Sequence, residues 1–168
     1  MSLNVNGSVR VTSGFTETIT VGLGSAGVSE GIAWLQQYGT GTGAGNINEK
    51  WSKTSTPAAS TPDTWTLSAL TDTISGSGSR TIAFAKAKSL IINNTGSCPL
   101  ILTAGASHGV AWLPPSGAQG VTIPAGGIFV LEDPTAGALT VTASTNDTIK
   151  IDPGTNSGAA YSIEIAGE

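Results

Sequence analysis

The sequence predicts an all-β protein, an antiparallel β-sandwich of jelly-roll type. Three observations lead to that expectation. Leu139, Val141 and Ala143 alternate with Thr140, Thr142 and Ser144, and similar period-two runs recur through the second half of the chain. Such alternation marks strands buried on one face. Clusters of Gly, Pro, Asn and Asp punctuate the runs at close spacing, as in sandwiches and barrels. No segment sustains a 3.6-residue apolar period between helix caps.

Taken in chain order, Leu3, Val5, Val9 and Val11 read as a strand broken at Gly7. Their alternation is weak and distant from the well-patterned half, so residues 1–11 are expected to form an intersubunit arm. Leu3, Val5, Val9 and Val11 are then candidate interface residues, because an added strand supplies backbone hydrogen bonds without charge. Ile19, Val21 and Leu23 alternate as a second strand. Residues 31–38 fit a strand or a helical turn; in a helix Trp34 and Tyr38 would share one face. The alternating glycines of 39–45 read as a flexible loop. Runs 47–54 and 64–70 read as strands, separated by Pro57 and Pro62. Residues 75–79, a Ser/Gly repeat, read as a linker or a hairpin loop. Too little apolar sequence precedes them for an independent core, so residues 1–168 are expected to form one domain with its N-terminal strands paired onto the sandwich.

The second half is clearer. Runs 81–85 and 89–93 flank Lys86-Ala87-Lys88, whose two lysines should share a solvent or partner face. Leu90-Ile91-Ile92 is apolar on both faces and suits a central strand. After the turn Asn93–Gly96 come a strand over 99–103, a Gly/Pro loop over 104–120 and a short strand over 121–123. Turns at 124–127 and 133–137 bracket the run 128–131. Ile149 and Ile151, then Tyr161, Ile163 and Ile165, complete the alternating set.

Composition limits the function. The chain has 168 residues, enough for one domain burying about 70% of its unfolded surface. Only 11% of its residues are charged, with one histidine, His108, and one cysteine, Cys98. Catalysis needs convergent titratable groups, so no enzyme activity and no cofactor or metal are expected. The net charge of -4 argues against nucleic acid as a partner. A lone cysteine gives no disulfide framework, and no apolar run approaches membrane-spanning length. Synthesis in a reducing cytoplasm is expected. Low aromatic content and 23 glycines make burial between copies a natural supplement to a modest core, so a homo-oligomer is expected.

Four local patterns invite chemistry. Gly105-Ala106-Ser107-His108-Gly109 matches the G-x-S-x-G nucleophile elbow, but a Gly/Pro loop follows it where a helix is required, and the histidine is adjacent to the serine. The Gly39–Gly45 run lacks the helix N-terminus of a phosphate cradle. Glu132, Asp133, Asp147 and Asp152 lack EF-hand spacing and sit among ordinary turn formers. Of Trp34, Trp51, Trp65 and Trp112, the last lies in a Pro-rich loop and is a candidate interface anchor.

Phe84-Ala85-Lys86-Ala87-Lys88-Ser89-Leu90-Ile91-Ile92-Asn93-Asn94 resembles a strand of small virion proteins encoded in tailed-phage structural modules. Residues 123–131, the hairpin 139–151 and the final strand 161–165 resemble later segments of the same proteins. The resemblance covers the second half of the chain. It implies a capsid decoration (cement) protein on the outer capsid surface, a trimer that bridges subunits of the major capsid protein or other virion proteins. The alternatives it leaves are a fibre or adhesin module binding host glycans through an exposed aromatic residue, and another minor or major head protein.

Overall fold

The computed structural model describes residues 5–21, 24–74, 78–117, 119–137 and 139–168. Leu3 lies outside them. The described residues form strands and turns without a helix. The chain is all-β, and all the sheets of its main body are antiparallel.

Eight strands build a two-layer body: β4 (Glu49–Ser55), β5 (Asp63–Thr66), β8 (Lys86–Asn94), β9 (Leu100–Ala104), β10 (Val121–Ile123), β11 (Ile128–Glu132), β13 (Thr148–Asp152) and β14 (Tyr161–Gly167). One sheet runs β11-β8-β14-β4, the other β10-β9-β13-β5. The short β12 (Leu139–Thr140) also pairs with β8. The pairing is nested: β4 with β14, β5 with β13, β8 with β11, β9 with β10. The core lies between the sheets, built on Trp51, Leu90, Ile92, Leu100, Leu102, Ile149, Ile151, Ile163 and Ile165. Every second residue of β14 up to Ile165 points inward, as its alternation predicts. A smaller hairpin, β6 (Leu70–Ile74) with β7 (Gly78–Ile82), contributes buried Leu70 and Ile82 to the same core. Residues 75–77 of the expected linker lie outside the described residues, while Gly78 and Ser79 belong to β7.

Three tryptophans are satisfied within this body. Trp51 donates its indole N–H to the Thr71 carbonyl at 3.0 Å and packs on Trp65, with ring centroids 5.1 Å apart. Trp65 donates to the Tyr161 hydroxyl at 2.9 Å, which in turn donates to Asp63 at 2.6 Å. Burial and that carboxylate push the Tyr161 phenol well above its ordinary range. Trp112 is half-buried against the core and donates to the Thr140 carbonyl at 3.2 Å.

The remaining strands form a different object. β1 (Gly7–Val21) and β2 (Gly24–Thr40) pair antiparallel from Gly7↔Tyr38 to Val21↔Gly24. Residues 31–38 are therefore strand, not helix. At about 3.4 Å per residue the ribbon is roughly 50 Å long. β3 (Asn46–Ile47) pairs in parallel with the last two residues of β2.

Two local features depart from the sequence expectations. β8 carries a bulge: Ser89 pairs with Ala166 and Ala87 with Gly167, leaving Lys88 as the extra residue. Strict alternation is lost there, and Lys88 is fully buried instead of sharing a solvent face with Lys86. The run 139–144 forms a two-residue strand and then a tight turn, in which Asn146 N donates to Thr142 O at 2.8 Å and Ser144 takes φ +59°.

Candidate functional site

The root of the ribbon is where the two objects join, and a buried polar clamp holds it. Gly41, Gly43 and Gly45 adopt φ of +133°, +92° and +68°, which side chains resist. Their turns let Gly39 N reach Gly45 O at 2.9 Å and Gly41 N reach Ile47 O at 2.9 Å. A Cβ on Gly39 would stand 2.7 Å from Asn46 Oδ1. The glycine run expected to be a flexible loop is thus a bonded anchor.

Lys88 sits beneath it. Its ammonium donates to the Gly43 carbonyl and, at 2.7 Å, to the Asn46 carbonyl. It also lies 3.4 Å from Glu168 Oε2. Glu168 accepts from Gly43 N at 2.8 Å and pairs with Lys86 at 2.7 Å. The Lys86 bond, ahead of the Gly43 N–H and the Lys88 charge, holds this carboxyl below its ordinary value against a desolvation that opposes the shift. Beside it, the buried Tyr38 hydroxyl donates to Glu132 Oε2 at 2.6 Å, and Ser89 donates to Glu132 Oε1. Burial pushes the Glu132 carboxyl up, although both hydrogen bonds pull it back. Tyr38, Ile47 and Ala166 form a second small core, against which Val5 and Val9 pack.

Beyond the root, exposed apolar side chains stand on both faces of the ribbon. Val11 pairs with Trp34 across the strands, at the same parity as Val9 and Tyr38. Val11 and Trp34 are 42% and 37% exposed, and they line a shallow groove with Ile128, Val130 and Glu132. Ile128 and Val130 are 65% and 36% exposed, although their strand buries Phe129 and Leu131 against the core on its other face. Gln36 stands at the same parity, between Trp34 and Tyr38. The opposite parity carries Ser8, Arg10 and Thr12 and, across from Arg10, Leu35, which is 55% exposed.

The structure therefore brings three of the expected interface residues together: Val5 and Val9, half-buried at the root, and Val11 on the exposed strip. Of the expected arm over residues 1–11, residues 1–4 lie outside the described residues and Gly7–Val11 belong to β1. Trp112 is placed in the loop beside β12, not with them. Trp34, Ile128 and Val130 were not singled out as interface residues from sequence. The legible signal was the run Ile128-Phe129-Val130-Leu131, apolar at both parities on a strand that has only one buried face.

The chemistry-bearing patterns have structural duties. Gly105–Gly109 ties the loop after β9 to β13: the His108 carbonyl accepts from Asp147 N at 2.7 Å and Thr148 N at 2.9 Å. A Cβ on Gly105 would meet Thr148 Oγ1 at 2.1 Å. Asp147 accepts from Ser68 at 2.6 Å and from Ser144 N at 2.9 Å, and Asp152 pairs with Lys150 at 2.8 Å. Among the described residues no three His, Cys, Asp or Glu side chains converge on a point that could hold a metal ion. No protein-family model, no curated protein and no solved structure matches the chain.

Proposed function

We propose that this chain is a structural virion protein of the capsid decoration or cement kind, attached to the major capsid protein on the outer surface of a phage head. Its work there is mechanical: it bridges neighbouring shell subunits and opposes the pressure of packaged DNA. The observation that supports this reading is the division of the chain into a closed body and a long ribbon bonded to it at its root. Such a shape carries load between partners without needing a catalytic cleft. The nested strand pairing, first with last and inward to β9 with β10, supports jelly-roll connectivity for the body. The internal duties of Asp147, Asp152, Trp51 and Trp65 support a non-enzymatic role. Trp34 alone among the tryptophans is offered at a surface, but its groove is lined by Val11, Ile128 and Val130 with one carboxylate. That lining favours an apolar protein partner over the hydroxyls of a glycan.

The test is stoichiometry and attachment. Quantitative mass spectrometry of purified particles should find the chain in fixed ratio to the major capsid protein. Particles stripped of it should rebind the purified chain and release DNA at a higher temperature than stripped controls. Absence from purified particles, or rebinding without any gain in particle stability, overturns the reading.

A further inference from the structure

We infer that Asn6-Gly7, at the foot of the ribbon, is a site of spontaneous backbone modification. Asn6 deamidates through a cyclic imide, isoaspartate is one product, and the change loosens the root of the ribbon. This inference goes beyond the reading above and does not depend on it.

Sequence and structure carry it together. Asn6-Gly7 is the one Asn-Gly pair in the chain. In such a pair the glycine backbone nitrogen attacks the asparagine side-chain Cγ. The new N–C bond closes a five-membered imide, the bond from Cγ to the amide nitrogen breaks, and ammonia leaves. Water then opens the ring at either carbonyl. One opening gives aspartate; the other gives isoaspartate, in which the main chain runs through the former side chain. Glycine permits the attack because no Cβ obstructs it and its backbone reaches conformations that other residues resist.

The surroundings permit it too. Asn6 lies outside regular structure, immediately before β1, and both Asn6 and Gly7 are exposed. A Cβ built on Gly7 would meet nothing within 4 Å. A shallow groove lined by Asn6, Gly7, Gln37 and Thr40 opens beside them. Gly7 and Tyr38 form the end pair of the ladder, and end pairs fray. Asn46, Asn94, Asn146 and Asn156, by contrast, spend their side-chain amides on bonds to backbone carbonyls.

The position makes the change consequential. Val5 packs against the small core of Tyr38, Ile47 and Ala166, and its carbonyl accepts from Thr40 Oγ1 at 2.8 Å. Isoaspartate adds one methylene to the main chain between Val5 and Gly7, and either product adds a negative charge. The lengthened chain must give up the present seat of Val5 or the pairing of Gly7 with Tyr38.

The experiment incubates the purified full chain in mildly alkaline buffer and follows each asparagine by peptide mass spectrometry. Labelling with an isoaspartyl methyltransferase marks the rearranged product. Asn6 should convert ahead of the other asparagines, to aspartate and isoaspartate together. Gly7→Ala, which the open space at Gly7 accommodates, should slow the conversion roughly tenfold or more. Far-ultraviolet circular dichroism checks that this variant folds, and wild-type conversion decides the matter if it does not. The modified form, separated by anion exchange through its added charge, should exchange amide hydrogens faster at Tyr38 and Thr40 than the unmodified form. An Asn6 that stays intact while other asparagines convert overturns the inference. So does a folded Gly7→Ala variant that converts as fast as wild type, or a modified form whose exchange at Tyr38 and Thr40 is unchanged.

Discussion

The sandwich and the ribbon are built from the same kind of sequence, yet they are stabilised in different ways. Strands of the sandwich are at most nine residues long, and each buries part of its length in a shared core. The ribbon's strands run 15 and 17 residues, and their described packed core lies at the root. Burial accounts for the first region. The second is held at its root by hydrogen bonds and an ion pair, and beyond the root Val11, Trp34 and Leu35 are exposed. A strand pattern alone therefore does not say where its buried face will find cover.

The sharpest way to break the contrast is to truncate one tryptophan in each region. Trp51→Ala removes a fully buried ring, its bond to Thr71 and its packing on Trp65, and should destabilise the fold by about 4 kcal/mol. Trp34→Ala, measured on dissociated protein, should change stability by less than about 0.5 kcal/mol. Chemical denaturation of both variants measures the difference. Equal losses would mean that the ribbon is as deeply part of the fold as the core.

Lys88→Met tests the joint between the regions. It keeps the packing volume but strands the Gly43 and Asn46 carbonyls and takes one cation from Glu168. A cost of roughly 3 kcal/mol is expected from breaking a buried pair on one side. Hydrogen exchange should quicken in Gly39–Ile47 while β9 and β13 stay protected. Uniform quickening across both sheets would show that the clamp supports the whole molecule.

The smallest effect is that of pH on the same clamp. Glu168 titrates below its ordinary value of 4.5 in the folded state. Its contribution is therefore complete above about that pH and declines as pH falls through its lowered value. Glu132 shifts the opposite way, so its protonation relieves a burial cost over the acid range and partly offsets the loss. Melting curves between pH 7 and 3 should show a shallower acid decline for Glu168→Gln than for wild type, starting from a lower melting temperature at pH 7. Parallel curves would remove Glu168 from the clamp.

Much of the body was legible because its causes are local. Leu90-Ile91-Ile92 proved central, and Ile149, Ile151, Ile163 and Ile165 point inward as their alternation requires. The turn at Pro124–Gly127 fell where Pro and Gly placed it, whereas Asn93 and Asn94 of the expected turn belong to β8 and the chain bends only at Gly96–Cys98. What was not legible depends on distant partners. Lys88 leaves the expected face because β14 fixes a bulge opposite Ala166 and Gly167. The strand 64–70 stops early because Leu67 N bonds the Asp147 carbonyl and Ser68 bonds the Asp147 carboxylate. At the site, Val11 could be proposed from its own sequence. Its neighbours Ile128 and Val130 could not, since they lie more than a hundred residues away and meet it only through the clamp.

The nested pairing has a consequence for the order of events during synthesis. β14 is the last of the sandwich strands to be made, and it lies between β8 and β4 in the middle of its sheet. Until it is available, β4 has no neighbour in that sheet and one side of β8 stays open. Trp51 must find Ile165 across most of the chain. Closing so long a loop has to precede the contacts that reward it, which places folding in the slow regime of non-local β proteins. The ribbon's two strands are adjacent in sequence and close only a short loop, so their pairing waits on none of these distant contacts.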